Sequence, residues 1–181
     1  MTGLAGAAPI FLLGFMGSGK STVGVALAAR LSRPFIDLDQ RIEAVAERTI
    51  ADIIEREGEE SFRRLESETL LQVAEAPEAI VALGGGAFAR AANRELIRRA
   101  GVSVWLDAPF ELCWQRILEH DIARPLAPDE VSARARYEAR LPLYGQSDVR
   151  IEVSAAMSAE EIVELIIDRL AGSRSQAEER A

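Results

Sequence analysis

Residues 14–21, Gly-Phe-Met-Gly-Ser-Gly-Lys-Ser, leave this chain few folds to choose from. They match G-x-x-x-x-G-K-[ST], and what flanks them fits the motif. The apolar run Ile10-Phe11-Leu12-Leu13 ahead of the loop reads as a buried strand. The segment from Ser21 to Leu31 has helical spacing, with Val23, Leu27 and Leu31 on one face. A loop rich in glycine between strand and helix can curl so that successive N–H groups point inward at phosphate oxygens. The helix N-terminus adds partial positive charge behind them. In such a loop Lys20 reaches the β- and γ-phosphates of a nucleoside triphosphate, and the Ser21 hydroxyl coordinates Mg²⁺. The competing reading, a glycine turn that only caps a helix, leaves the Lys-Ser pair unexplained.

Strand-like and helix-like segments alternate through the remaining chain. Phe35-Ile36 reads as a second strand, followed by helices over 39–48, from Thr49 to near Gly58, and over 60–74. Thr49 with Asp52 has the form of a capped helix start. A third strand, 79–83, is halted by Gly84-Gly85-Gly86; a helix over 93–100 ends at Gly101, and a fourth strand covers 102–106. Pro109 opens a helix to about Glu119, residues 120–129 read as a loop, and a helix over 130–140 is broken at Pro142. The fifth strand is 149–153, and Ser158 with Glu161 forms a capping box for a last helix to Leu170, ahead of a polar tail, 173–181, read as frayed. Nearly all-apolar strands alternating with helices indicate an α/β fold, a parallel sheet covered on both faces.

Composition narrows the function. The 181 residues suit a single domain, and one cysteine, Cys113, excludes an intrachain disulfide. With one histidine, His120, zinc clusters and a Cys-His catalytic pair are poorly supported; Cys113 reads as helix packing and His120 as a loop residue. A net charge of −8 disfavours nucleic acid and anionic membrane as partners, so any polyanion must be held by a few placed cations. No apolar run approaches the ~20 residues that span a bilayer. The uncharged start lacks the basic end of a signal peptide, and the free cysteine agrees with a reducing cytoplasm.

Four further groups carry chemistry. Asp37 and Asp39 stand where the second strand ends, the side on which such sheets bind ligands. They are either carboxylates for a metal-bound water and a hydroxyl nucleophile, or a turn at Asp37 with a helix cap at Asp39. Arg63 and Glu66, three apart on a helix, either pair so that the arginine is fixed in one rotamer or form a solvated charged face. Gly84-Gly85-Gly86 lets backbone approach a ligand, or is a flexible stop. Among the arginines after residue 115, Arg116 lies near a helix end and Arg124 in the loop with prolines. Arg134, Arg136 and Arg140 follow on the next helix, the last two on one face. A mobile segment bearing an arginine is a means of delivering charge to a transferring phosphoryl group.

Taken together these motifs resemble the shikimate kinase family from about Pro9 to Leu170. They are G-F-M-G-S-G-K-S-T at 14–22, D-L-D at 37–39, G-E-E-S-F-R-R-L-E at 58–66, L-G-G-G-A at 83–87, R-P-L at 124–126 and R-L-P-L-Y at 140–144. The resemblance implies a three-layer αβα P-loop kinase with a five-stranded parallel sheet in the order 2-3-1-4-5. It also implies one domain with core 9–171, a helical substrate region at 39–66 and a lid at 119–131. The implied reaction is ATP-dependent phosphorylation of the 3-hydroxyl of shikimate with one Mg²⁺, by a cytoplasmic monomer whose partners are ATP and shikimate. By the same resemblance Gly17, Ser18, Gly19, Lys20, Ser21, Thr22, Arg116 and Arg124 bind nucleotide. Asp39, Arg63, Gly84, Gly85, Gly86 and Arg140 bind shikimate, Ser21 and Asp37 serve the metal, and Arg124 is the lid arginine. Lys20, Asp39 and Arg124 are then the catalytic set, Asp39 orienting the hydroxyl and taking its proton late. The chain departs from the family in His-Asp-Ile-Ala before Arg124, in Ala127, and in Ala155-Ala156-Met157, where a proline often flanks adenine. A related gluconate kinase would share the P-loop without the Asp39, Arg63 and Arg140 set, and a silent nucleotide-binding module would be expected to have lost Lys20, Asp39 or Arg124.

Overall fold

The computed structural model describes residues 8–119, 126 and 128–178, without the side chains of 173–178. Strand β1 (Ile10–Leu13) is buried at every position and lies at the centre of the sheet. Helix α1 (Lys20–Leu31) follows the glycine loop, then β2 (Phe35–Asp37), α2 (Leu38–Ala46), α3 (Ile50–Glu57), α4 (Glu59–Ala74) and β3 (Ile80–Ala82). A 3₁₀ turn (Ala87–Ala89) precedes α5 (Ala91–Ala100), β4 (Val102–Asp107), α6 (Phe110–Glu119), α7 (Glu130–Tyr144), β5 (Val149–Glu152) and α8 (Ala159–Glu178). The sheet is parallel with strand order β2-β3-β1-β4-β5, as the resemblance implied. Its centre and its edge differ in the expected way. Central β1 and β3 are buried throughout, whereas edge strand β5 alternates, with Val149 and Ile151 buried and Arg150 and Glu152 exposed.

The register brings the ligand-bearing loops to one edge. Leu12 pairs with Ala82 and with Val104, and Ala82 pairs with Asp37, so the loops after β1, β2 and β3 leave the sheet side by side. Sequence separation between the glycine loop, Asp37 and Gly84 is thereby cancelled. Val23 and Leu27 of α1 are buried as their spacing requires, and α1 packs on α8.

Several boundaries differ from the sequence expectation. The cap of α2 is Asp37, whose side chain accepts from the N–H groups of Asp39 and Gln40; Asp39 sits in the first turn and is not the cap. This is the favourable arrangement, because Asp37 holds extended φ,ψ while Asp39 is already helical. Both expected caps form: Thr49 accepts from the Asp52 N–H, and Ser158 exchanges bonds with Glu161 in a reciprocal box. Helix α7 is not broken at Pro142 but runs to Tyr144. Proline forfeits one bond near the helix end, the Gly145 N–H still reaches Leu141 O at 3.0 Å, and the buried ring of Tyr144 anchors the turn. Helix α8 continues to Glu178 where a frayed tail was expected from 173, since Ser-Arg-Ser-Gln-Ala-Glu contains no glycine or proline to stop it.

Candidate active site

The glycine loop is held from outside and from within. Gly17 has φ 78°, a left-handed conformation, and a Cβ there would overlap the carbonyl of Cys113 in α6. Cys113 is thus packing beneath the loop; burial pushes its thiol up to about 11, which keeps it unreactive. Lys20 Nζ donates to the carbonyls of Gly14 (3.1 Å) and Phe15 (2.9 Å), so the ammonium lies folded across the loop that would cradle phosphate. Arg116 Nη1 donates to Gly17 O at 3.2 Å, which puts this guanidinium at the loop's rim. Ser18 is buried, with no hydrogen-bond partner for its Oγ among the described residues, and Thr22 is exposed in the first turn of α1.

Ser21 and Asp37 meet across the gap between α1 and β2: Ser21 Oγ donates to Asp37 Oδ2 at 2.7 Å. Asp37 therefore caps α2 with one oxygen and faces the glycine loop with the other. Two hard oxygen donors beside a phosphate loop suit Mg²⁺, which keeps several waters and binds through a few carboxylates or hydroxyls plus phosphate oxygens. Two protein oxygens are too few for a cation by themselves, so this pair fits an ion that arrives with a nucleotide.

The second half of the site is a cluster of charges around the triple glycine. Arg63 Nη1 donates to both oxygens of Glu66 (3.0 and 2.9 Å), and its Nε and Nη2 donate to Glu59 Oε1 (3.4 and 3.2 Å). Glu66 is fully buried, which removes the solvated-face reading of this pair. Burial works to lower the Arg63 pKa, but Glu66 and Glu59 outweigh it and the guanidinium is held more firmly charged. For Glu66 burial wins over its arginine, and the nearby Asp39 adds to it, so the carboxyl is raised. Arg64, by contrast, is exposed and donates to Ser61 at 3.1 Å.

The three glycines are there because side chains crowd them. A Cβ on Gly84 would overlap Asp39 Oδ1 and come within 3.0 Å of Glu66 Oε1. One on Gly86 would lie 2.5–2.7 Å from the Arg63 guanidinium, and one on Gly85 would lie 3.3 Å from Arg140 Nη1. Asp39, Arg63 and Arg140, from α2, α4 and α7, thus converge on one stretch of backbone. Arg140 is only 7% exposed, and its Nη1 is buried with no hydrogen-bond partner among the described residues. Arg136, which shares its face, reaches Glu59 at 3.6 Å, and Arg134 pairs with Glu111. Arg124 and His120 lie outside the described residues.

Two members of this cluster had no role assigned from sequence. Glu59 was hidden in an acidic pair, and only its four-residue spacing from Arg63 hinted at contact. Tyr144, four residues after Arg140, donates its hydroxyl to Gly85 O at 2.6 Å, a contact that joins chain positions far apart. Replacing Glu66 by alanine is expected to lower unfolding free energy by about 3 kcal/mol, since it strands a largely buried arginine that keeps only half-exposed Glu59. Denaturant unfolding at neutral pH measures it, and a loss below ~1 kcal/mol would mean that the pair is a surface pair in its energetics.

A phosphate loop at the carboxyl edge of a 2-3-1-4-5 sheet, with a cluster of charged side chains around the neighbouring triple glycine, defines a P-loop kinase, a phosphotransferase. The shikimate kinase family model matches residues 16–171. A shikimate kinase of Symbiobacterium thermophilum is 45% identical over 166 residues, covering 89% of this chain and 95% of its own length. One of Ruegeria pomeroyi is 42% identical over 165 residues, covering 90% and 84%. Among solved structures, the shikimate kinase of Acinetobacter baumannii in complex with shikimate superposes with a TM-score of 0.89 at 34% identity, covering 94% of this chain and 96% of that one. The chain belongs to the shikimate kinase family.

Proposed function

We propose that this chain transfers the γ-phosphoryl group of ATP to the 3-hydroxyl of shikimate, giving 3-phosphoshikimate and ADP. The observation that carries the acceptor is Arg140, a buried guanidinium beside Gly85 whose Nη1 has no partner among the described residues, in a cluster that also holds Arg63 and Asp39. Arg140 already has Glu66, Tyr144 and the Phe15 ring near it, but a buried nitrogen with no hydrogen-bond partner is costly, and a substrate carboxylate relieves it. In this reading Arg63 and Arg140 clamp the carboxylate, the backbone of Gly84, Gly85 and Gly86 lines the ring, and Asp39 accepts from a ring hydroxyl.

On the nucleotide side, the N–H groups of residues 17–22 receive the phosphates. Lys20 leaves the carbonyls of Gly14 and Phe15 for the β- and γ-oxygens. Arg116 lies against adenine and Arg124 supplies the lid charge. Ser21 and Asp37 would hold one Mg²⁺ with the nucleotide, and its chemistry is to neutralise charge on the phosphate oxygens. The transferring group passes through a loose transition state, so the chain mainly positions and neutralises. Asp39 orients the attacking hydroxyl and takes its proton late.

Residues 39–66 serve as the substrate region and 119–131 as the lid of one kinase domain with core 9–171. The enzyme acts in the cytoplasm as a monomer; no helix among the described residues is long and apolar enough to cross a membrane. The exposed large apolar residues Val25, Val45, Leu71, Leu118, Val131 and Leu165 stand one to a helix on six helices, which supports the monomeric reading.

ADP release measured with shikimate, with gluconate and without acceptor tests the assignment; release that is equal in all three, or highest with gluconate, overturns it. Arg140→Lys is expected to raise the shikimate KM about tenfold with the ATP KM unchanged. Lysine keeps the charge but loses the planar fork, and one charge-assisted hydrogen bond is worth about 1.5 kcal/mol. Steady-state kinetics with each substrate varied in turn read this out, and an unchanged shikimate KM would remove Arg140 from the clamp.

A further inference from the structure

Tyr144 is buried to 1% and ends α7 one turn after Arg140. Its ring packs against Trp105 of β4 with centroids 5.9 Å apart, and its hydroxyl donates to Gly85 O at 2.6 Å. Burial pushes the phenol up to about 12, so the hydroxyl remains a protonated donor at neutral pH. The middle glycine of the triple is therefore gripped twice by one helix. Arg140 lies against the side where a Cβ would project, and Tyr144 holds the carbonyl.

We infer that Tyr144 is a positioning residue for the acceptor substrate, acting through Gly85 to set the direction in which the glycine backbone presents its donors. Glycine has no Cβ to restrict its φ and ψ; the flanking carbonyls of Gly84 and Gly86 are held by the N–H groups of Ala87 (3.1 Å) and Ala89 (3.0 Å), and Tyr144 holds the one between them. The peptide between Gly85 and Gly86 is trans and planar, so anchoring the Gly85 carbonyl also fixes the opposite direction of the Gly86 N–H. That N–H belongs to the residue packed on the Arg63 guanidinium, on the far side of the peptide from the Tyr144 hydroxyl. Releasing the carbonyl lets the peptide plane rotate, and the substrate must then reorder it on binding. Gly85 also borders Met16 N and Gly14 O, but the phosphate loop has its own anchors in Lys20, Arg116 and the Cys113 backbone, so the loss falls on acceptor affinity.

The inference rests on the shikimate reading, and the experiment separates the two. Tyr144→Phe keeps the ring and its packing and removes the hydroxyl, with its bond to Gly85 O and its contact with Arg140; the Gly85 and Gly86 amide shifts report the Gly85 bond by itself. We expect a rise of about tenfold in the shikimate KM, the equivalent of ~1.4 kcal/mol, with kcat and the ATP KM changed less than twofold. Trp105→Phe serves as a control that loosens the same packing without touching Gly85; it lowers the melting temperature and leaves the shikimate KM in place. A Tyr144→Phe enzyme that loses stability but keeps its shikimate KM shows the residue to be core packing only and overturns the inference. A common rise in both KM values, meaning general distortion, does the same. In the wild-type protein, amide resonances of Gly85 and Gly86 are expected to shift on shikimate titration; their indifference would overturn the inference even if the variant fails to fold. Absence of shikimate-dependent ADP release in the wild type would sink the reading of function itself.

Discussion

Asp39→Asn is expected to lower kcat by about 10²–10⁴-fold while ATP binding stays within twofold. The amide is nearly the same size and still accepts a hydrogen bond, but it cannot take the hydroxyl proton. Since Asp37 and not Asp39 caps α2, the substitution leaves the helix start intact, and the loss cannot be assigned to a missing cap. Asp39 also adds to the upward shift of Glu66 by like-charge repulsion, so removing its charge lets the Glu66 carboxyl fall back. Stability at neutral pH should therefore hold or rise as activity falls, the trade-off typical of a functional charge cluster. The sign follows from linkage. A carboxyl whose folded pKa is raised contributes stability below its unfolded value and loses it as pH rises through the folded one, so a smaller shift means less lost at pH 7. Single-turnover kinetics paired with denaturant unfolding decide the matter: a loss of turnover under about threefold would remove Asp39 from the reacting centre.

Lys20→Ala should cost on the order of 10³-fold in turnover, the range seen when one preorganised donor is removed from a developing oxyanion. Here the donor carries a full charge, and its resting position is already inside the loop, on the carbonyls of Gly14 and Phe15. Those two carbonyls lose a donor in the variant, so a modest fall in stability of about 1–2 kcal/mol should accompany the kinetic loss. Circular dichroism and thermal unfolding check that the fold survives. A variant that still turns over near the wild-type rate would show that the ammonium does not leave its carbonyl partners for the phosphates.

Local signals were enough for the glycine loop and the strand and helix that flank it. Gly14 to Ser21 are contiguous, and their geometry follows from glycine freedom and a helix start, both properties of short segments. The same holds for the Thr49 and Ser158 caps and for the run of buried strands. Where local rules failed, a tertiary contact had overruled them. Proline at 142 ends a helix by propensity, yet Tyr144 is anchored in the core and α7 continues to it. An arginine with glutamate three residues on is by default a surface pair, yet α4 turns Arg63 and Glu66 inward against Gly84 and Gly86.

By itself the sequence determined the layer architecture, the phosphate loop and the residue types needed for an acidic polyhydroxyl acceptor, because these depend on periodicity, spacing and chemistry within a few residues. Only the tertiary structure decided that Asp37 takes the cap and the Ser21 bond, leaving Asp39 to face Gly84. It alone decided that Arg140 is buried with an unsatisfied nitrogen and that Tyr144 grips Gly85 across 59 positions of chain. The physical reason is the parallel register of β2, β3 and β1. It sets the three loops at one edge and buries their charges together, and the free energy of a buried charge depends on neighbours that no local stretch of sequence contains.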